Sequence, residues 1–129
     1  MKTLTRDDIL AVKDVAEELV PVPEWGGTVR VRAMTAGARD AFEYEAVLAM
    51  KENRTLTSVR ARLIARCTVD EDGNLLFSED DIAALDRKSA AAMDRLYEAI
   101  TRMNAMRASD IEALGKNFEA ALGGDSSSA

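Results

Sequence analysis

The chain has 129 residues, of which 47% are hydrophobic and 31% charged, with a net charge of −6, one cysteine and no histidine. That length suits one ordinary domain with its own buried core, and that composition excludes a disordered chain or a membrane protein. The acidity argues against nucleic-acid binding, because phosphate contacts need a positive face. The absence of histidine removes the commonest general base and metal ligand, and a lone Cys67 excludes an internal disulfide or a multi-thiolate metal site, as in a reducing cytoplasm.

Read in chain order, Met1–Asp8 is not followed by the apolar run of a secretory signal, so none is expected. Thr5 with Asp7 and Asp8 predicts a helix start, since a hydroxyl caps free backbone N–H groups and acids favour the positive dipole end. Ile9, Val12, Ala16 and Leu19 then share one helical face, and Pro21 ends the helix. Residues 18–24, where Pro21 and Pro23 alternate with valines, read as an edge strand or extended arm, because proline cannot donate to a central ladder. Gly26-Gly27 supplies a turn, and the following stretch alternates: Val29, Val31 and Ala33 on one face, Thr28, Arg30 and Arg32 on the other.

Thr35 caps a second helix to about Lys51, with Ala38, Phe42, Ala46 and Ala49 on a common face and a break at Asn53-Arg54. A third, from about Thr57 to Arg66, turns Val59, Leu63 and Cys67 inward. Residues 67–69 and 75–77 flank Asp70-Glu71-Asp72-Gly73-Asn74 as a plausible short hairpin. Ser78 and Asp81 resemble a capping box for a short helix carrying Ile82 and Leu85. Ser89 opens the longest helix, with Met93, Leu96, Ile100 and Met103 on one face and Tyr97 alongside. Ser109 and Glu112 form a second capping box before Ile111, Leu114, Phe118 and Leu122, and Gly123-Gly124 stops that helix. The expected fold is α+β, predominantly α-helical with one or two short β-hairpins. Residues 1–122 form a single domain and residues 123–129 a disordered polar tail.

Charge is uneven along this plan: residues 69–129 hold 13 acidic and 6 basic side chains, whereas residues 36–68 hold 4 and 6. The acidic loop at Asp70 has its glycine at the fourth place, where a calcium-binding EF-hand loop needs it at about the sixth, so a solvated turn is the better reading. Glu79, Asp80 and Asp81 occupy a first helical turn, where the dipole favours acids for structural reasons alone. Cys67, on an apolar stripe without a histidine to activate it, reads as a small core hydrophobe. Arg60, Arg62 and Arg66 lack interleaved aromatics and read as a solvated face or a contact to acids rather than an RNA site. No catalytic, cofactor-binding or metal-ligating residue emerges. Trp25 either folds back over the core edge or anchors a partner, and the final helix either packs inward or docks elsewhere.

Several strings in this order resemble the tail assembly chaperones of long-tailed bacteriophages and prophages. They are Val20-Pro21-Val22-Pro23-Glu24-Trp25-Gly26-Gly27, Val29 through Ala36, Ala61 through Asn74, Leu76-Phe77-Ser78 and Lys88-Ser89-Ala90, within a resemblance spanning roughly Leu4 to Asn117. The resemblance implies a non-enzymatic assembly factor of the host bacterial cytoplasm, absent from the mature virion. Such a protein binds the tape measure protein, keeps its apolar helices soluble and aids polymerisation of the tail tube protein around it. Self-association and a longer product of translational frameshifting are also implied; Leu114-Gly115-Lys116, if encoded CTG-GGA-AAG, would contain a slippery heptamer, and is otherwise simply helix with a glycine. No family motif transfers to contact residues. On physical grounds Trp25, Val29 and Val31 at the hairpin edge, and Phe118 and Leu122 in the final helix, are the candidate partner-binding residues. No membrane or nucleic acid is expected as partner. The competing readings are a connector or completion protein retained in the virion, and a small cytoplasmic adaptor.

Overall fold

The computed structural model describes residues 1–53 and 57–106. The final helix expected at residues 109–122, with Phe118 and Leu122, and the polar tail lie outside the described residues, as does the possible slip site. Helix α1 spans Arg6–Ala11 and opens on the expected cap. The Asp8 amide donates to Thr5 Oγ1 at 3.2 Å, and the Thr5 amide donates back to the Asp8 carboxylate at 3.0 Å. The helix stops at an extended Val12 rather than running to Pro21, and strand β1, Glu17–Val22, takes the place of its expected second half. The correction has a physical cause. Six residues barely exceed the costly first turn of a helix, whereas the β-branched Val20 and Val22 gain both a ladder and a core as a strand.

Strand β2, Gly27–Arg32, pairs antiparallel with β1 in the register Glu18↔Val31, Val20↔Val29 and Val22↔Gly27. A 3-10 turn at Pro23–Trp25 joins them, and Gly26 closes it at φ +74°, a left-handed conformation in which a side chain would be strained. Strand β3, Thr68–Val69, pairs with the other side of β2, so the sheet order is β1-β2-β3 and β1 is an edge. Pro21 therefore sits where its missing N–H is tolerated. The second hairpin is reduced to a single bridge, Val69↔Leu75, closed by Asp70 N–H donating to Asn74 O at 2.8 Å. After the Leu76 amide reaches Thr68 O, the chain leaves the sheet for the next helical cap.

The remaining helices follow the caps read from the sequence. Helix α2, Ala36–Lys51, begins where Thr35 Oγ1 accepts from Ala38 N–H at 3.1 Å, and the chain turns left-handed at Asn53 beyond it. Helix α3 is Val59–Cys67. Ser78 and Asp81 make a capping box for a 3-10 turn, Glu79–Asp81, that runs into α4, Ile82–Asp86. Helix α5, Ala90–Met103, starts at Ser89, whose hydroxyl accepts from Ala92 N–H.

Helix α5 packs on α3 along one side and on β1 and β2 along another, which gives two layers around one core. Its stripe of Met93, Leu96 and Ile100 meets Leu63, Ile64 and Cys67 of α3, Phe42 of α2 and Val20, Val22 and Val31 of the sheet. Each such large side chain contributes on the order of 1.5–3 kcal/mol by leaving water. Thr68 is buried too, and its hydroxyl donates to Ile64 O at 2.8 Å, so no polar cost remains there. No helix among the described residues is long and apolar enough to cross a membrane.

Candidate partner-binding surface

Several of the polar groups that the sequence offered as chemistry are engaged within the fold. Cys67 is wholly buried, and burial pushes its thiol up to about 12, so at neutral pH it is a protonated core residue rather than a nucleophile. Arg60 pairs with Asp94 at 3.1 Å and lies 5.2 Å from the Tyr97 ring centre. Arg62 reaches Glu79 at 2.8 Å, and Arg66 pairs with Glu45 of α2. This arginine row therefore ties α3 to its neighbours. Asp70 accepts hydrogen bonds from the amides of Asp72 and Asn74, which hold its carboxyl below the ordinary range, with Gly73 left-handed at φ +85°. The loop is a solvated Asx-type turn. Among the described residues no group of three or more cysteines and carboxylates is arranged to hold a metal ion.

Two joints set the position of the hairpin and of the end of α5. Glu24, in the 3-10 turn, receives Arg95 Nε at 2.8 Å, and this guanidinium holds its carboxyl below the ordinary carboxylate range. Arg102 pairs with Glu18 at 3.0 Å one stage further along α5. Asn104 closes the far end: its Oδ1 accepts from Met34 N–H at 2.7 Å, its Nδ2 donates to Ile100 O at 2.8 Å, and its carbonyl accepts from Arg39. The sequence reading missed Asn104. An asparagine just past an apolar stripe signals a helix end, but nothing local says which distant amide it will meet.

Among the described residues, the candidates Trp25, Val29 and Val31 do not form one surface. Trp25 is 37% exposed at the tip of the hairpin, and Val29 is half-buried against the core. Val31 is wholly buried in the central strand and presents nothing to a partner. Its alternation with Arg30 and Arg32 marked an inward face, and inward here is inside the core.

The apolar surface lies elsewhere. Leu4, Ile9, Leu10, Val12 and Val15 are all exposed, and α1 contains no buried residue. Leu19 on β1, and Leu75 and Leu76 after the acidic loop, are exposed as well. Adjacent apolar pairs such as Ile9-Leu10 and Leu75-Leu76 did not signal this exposure, because the adjacent Leu63 and Ile64 of α3 are both buried.

The chain is an α+β arrangement with a small antiparallel sheet under an amphipathic helix, and it exposes apolar side chains on an acidic chain. It is similar to the solved structure of the bacteriophage HK97 tail assembly chaperone, with a TM-score of 0.52 and 19% identity over 75% of this chain and 90% of that one. At that identity the likeness speaks for the fold. No curated protein matches the sequence. The family model described as phage tail assembly chaperone matches residues 6–116, and the chain belongs to that family.

Proposed function

We propose that this chain binds the tape measure protein of a tailed phage or prophage, keeps its apolar helices soluble, and aids polymerisation of the tail tube protein around it. It would act in the host cytoplasm and be left out of the finished virion. The observation that carries the reading is the exposed apolar surface: Leu19, Leu75 and Leu76 beside the sheet, together with Leu4, Ile9, Leu10, Val12 and Val15 in the capped arm at residues 4–15. Monomeric soluble proteins rarely leave apolar groups clustered in water without a use. Membership of the chaperone family makes a tail protein the natural user. We assign the arm to self-association, because its Arg6, Asp7, Asp8, Lys13 and Asp14 carry both signs of charge, so a second copy can meet them while covering the apolar side chains. The longer frameshifted product remains part of the proposal and is read from the gene.

The test is a pull-down from co-expressing cells. Tagged chain should bring down the tape measure protein, and mass spectrometry of purified virions should find none of the chain. Presence of the chain in virions at a fixed stoichiometry would make it a structural component instead.

A further inference from the structure

An antiparallel sheet with one covered face normally turns polar side chains to water on the other. Here α5 covers one face of β1 and β2, and the opposite face keeps Leu19 at 54% and the adjoining Leu76 at 51% exposed. Between them lies a surface groove of about 350 Å³, lined also by Val29, Val69, Asp70 and Glu71. Thr28 and Arg30 share that lining, so the groove is part apolar and part polar, and the charges around it do not balance. Arg30 crosses the floor and is paired with Glu17 at 3.4 Å, and Arg32 reaches over to donate to Gly73 O at 3.0 Å. Of the residues lining the groove Arg30 is cationic and Asp70 and Glu71 are anionic, one net negative charge, and the neighbouring Glu17, Arg32 and Asp72 add one more at neutral pH. Asp70 is committed to backbone amides in its ionised form, which fixes part of that charge in place.

We infer that this groove is the client site, and that it takes a segment combining apolar side chains with neighbouring lysine or arginine, the two leucines gripping the former and the Asp70–Asp72 rim the latter. The charge complement selects the occupant: an apolar segment flanked by acids would meet the same rim and be repelled. The inference rests on the chaperone reading above and adds to it where the client sits and which sign of charge it carries.

The test titrates the full chain with two fluorescent amphipathic peptides, one of leucine and lysine and one of leucine and glutamate. The leucine–lysine peptide should bind, the leucine–glutamate peptide should not, and the double variant Leu19→Ser/Leu76→Ser should weaken binding at least about tenfold. Because serine keeps the charge, non-specific attraction to an acidic protein would survive in that variant. Glu71→Gln/Asp72→Asn should weaken binding and flatten its salt dependence, and Val47→Ser, an exposed apolar change on α2, should leave it unchanged. Unaltered affinity in Leu19→Ser/Leu76→Ser, or equal binding of both peptides, overturns the inference. A parallel pull-down of co-expressed tape measure protein separates the two levels. Capture by the original chain and loss with the double leucine variant supports the groove; capture by both overturns the groove and leaves the chaperone reading standing. Capture by neither overturns both.

Discussion

The arm at residues 4–15 and helix α5 begin from similar sequence patterns and end in opposite environments. Both open on a hydroxyl cap, and both space apolar residues by three and four. In α5 the stripe is buried against α3 and the sheet; in the arm every apolar side chain is exposed. Periodicity therefore reports which residues share a face, and only a facing element decides whether that face is covered. In α5 the cover is intramolecular. For the arm, the cover proposed above is a second copy of the chain.

Mutations that probe the core side of this contrast should have the largest effects. Leu63→Ala or Leu96→Ala removes a wholly buried side chain and should cost about 2–5 kcal/mol in denaturant unfolding. Leu10→Ser, a harsher change chemically, should fall within about 0.5 kcal/mol because its side chain is largely exposed. Comparable losses at the two positions would erase the distinction. Asn104→Ala comes next: it strands the Met34 amide and frees the end of α5, which should cost about 1–3 kcal/mol and speed hydrogen exchange at Met34.

Acid should act more gently still. Asp8, Glu24 and Asp70 all have carboxyls held below ordinary values of 3.8, 4.5 and 3.8. Groups depressed in this way contribute stability that is fully present above those values and is lost as pH falls through the lowered ones. Unfolding midpoints should hold steady at neutral pH and decline below about 4.5, and Arg95→Ala should blunt the part of that decline due to Glu24. The smallest effect is expected from Thr5→Ala. It should fray α1, visible as faster amide exchange at Asp8, and leave the global midpoint in place.

What the sequence disclosed follows from the range of the forces involved. Caps act within one turn, so Thr35, Ser78 and Ser89 placed α2, the turn before α4, and α5 correctly. The apolar stripes of α3 and α5 identified their buried faces, including Cys67. The first helix was read too long because the spacing from Ile9 to Leu19 fits a helix locally, while the hairpin that claims Val20 and Val22 depends on β2. The contact surface was the least legible. Trp25 was named for residue type and Val29 and Val31 for their place on the hairpin, but exposure at Leu19 and Leu76 arises only once α5 has covered one side of the sheet and left the other open.

The central claim is that the apolar surface left outside the fold exists to keep a tail protein soluble. Its most direct measurement is the soluble fraction of tape measure protein co-expressed with this chain or with its Leu19→Ser/Leu76→Ser variant, both confirmed equally stable. The account predicts soluble tape measure protein with the original chain and aggregated protein with the variant. Aggregation in the presence of the original chain would contradict it, and equal solubility with both would remove Leu19 and Leu76 from the surface that does this.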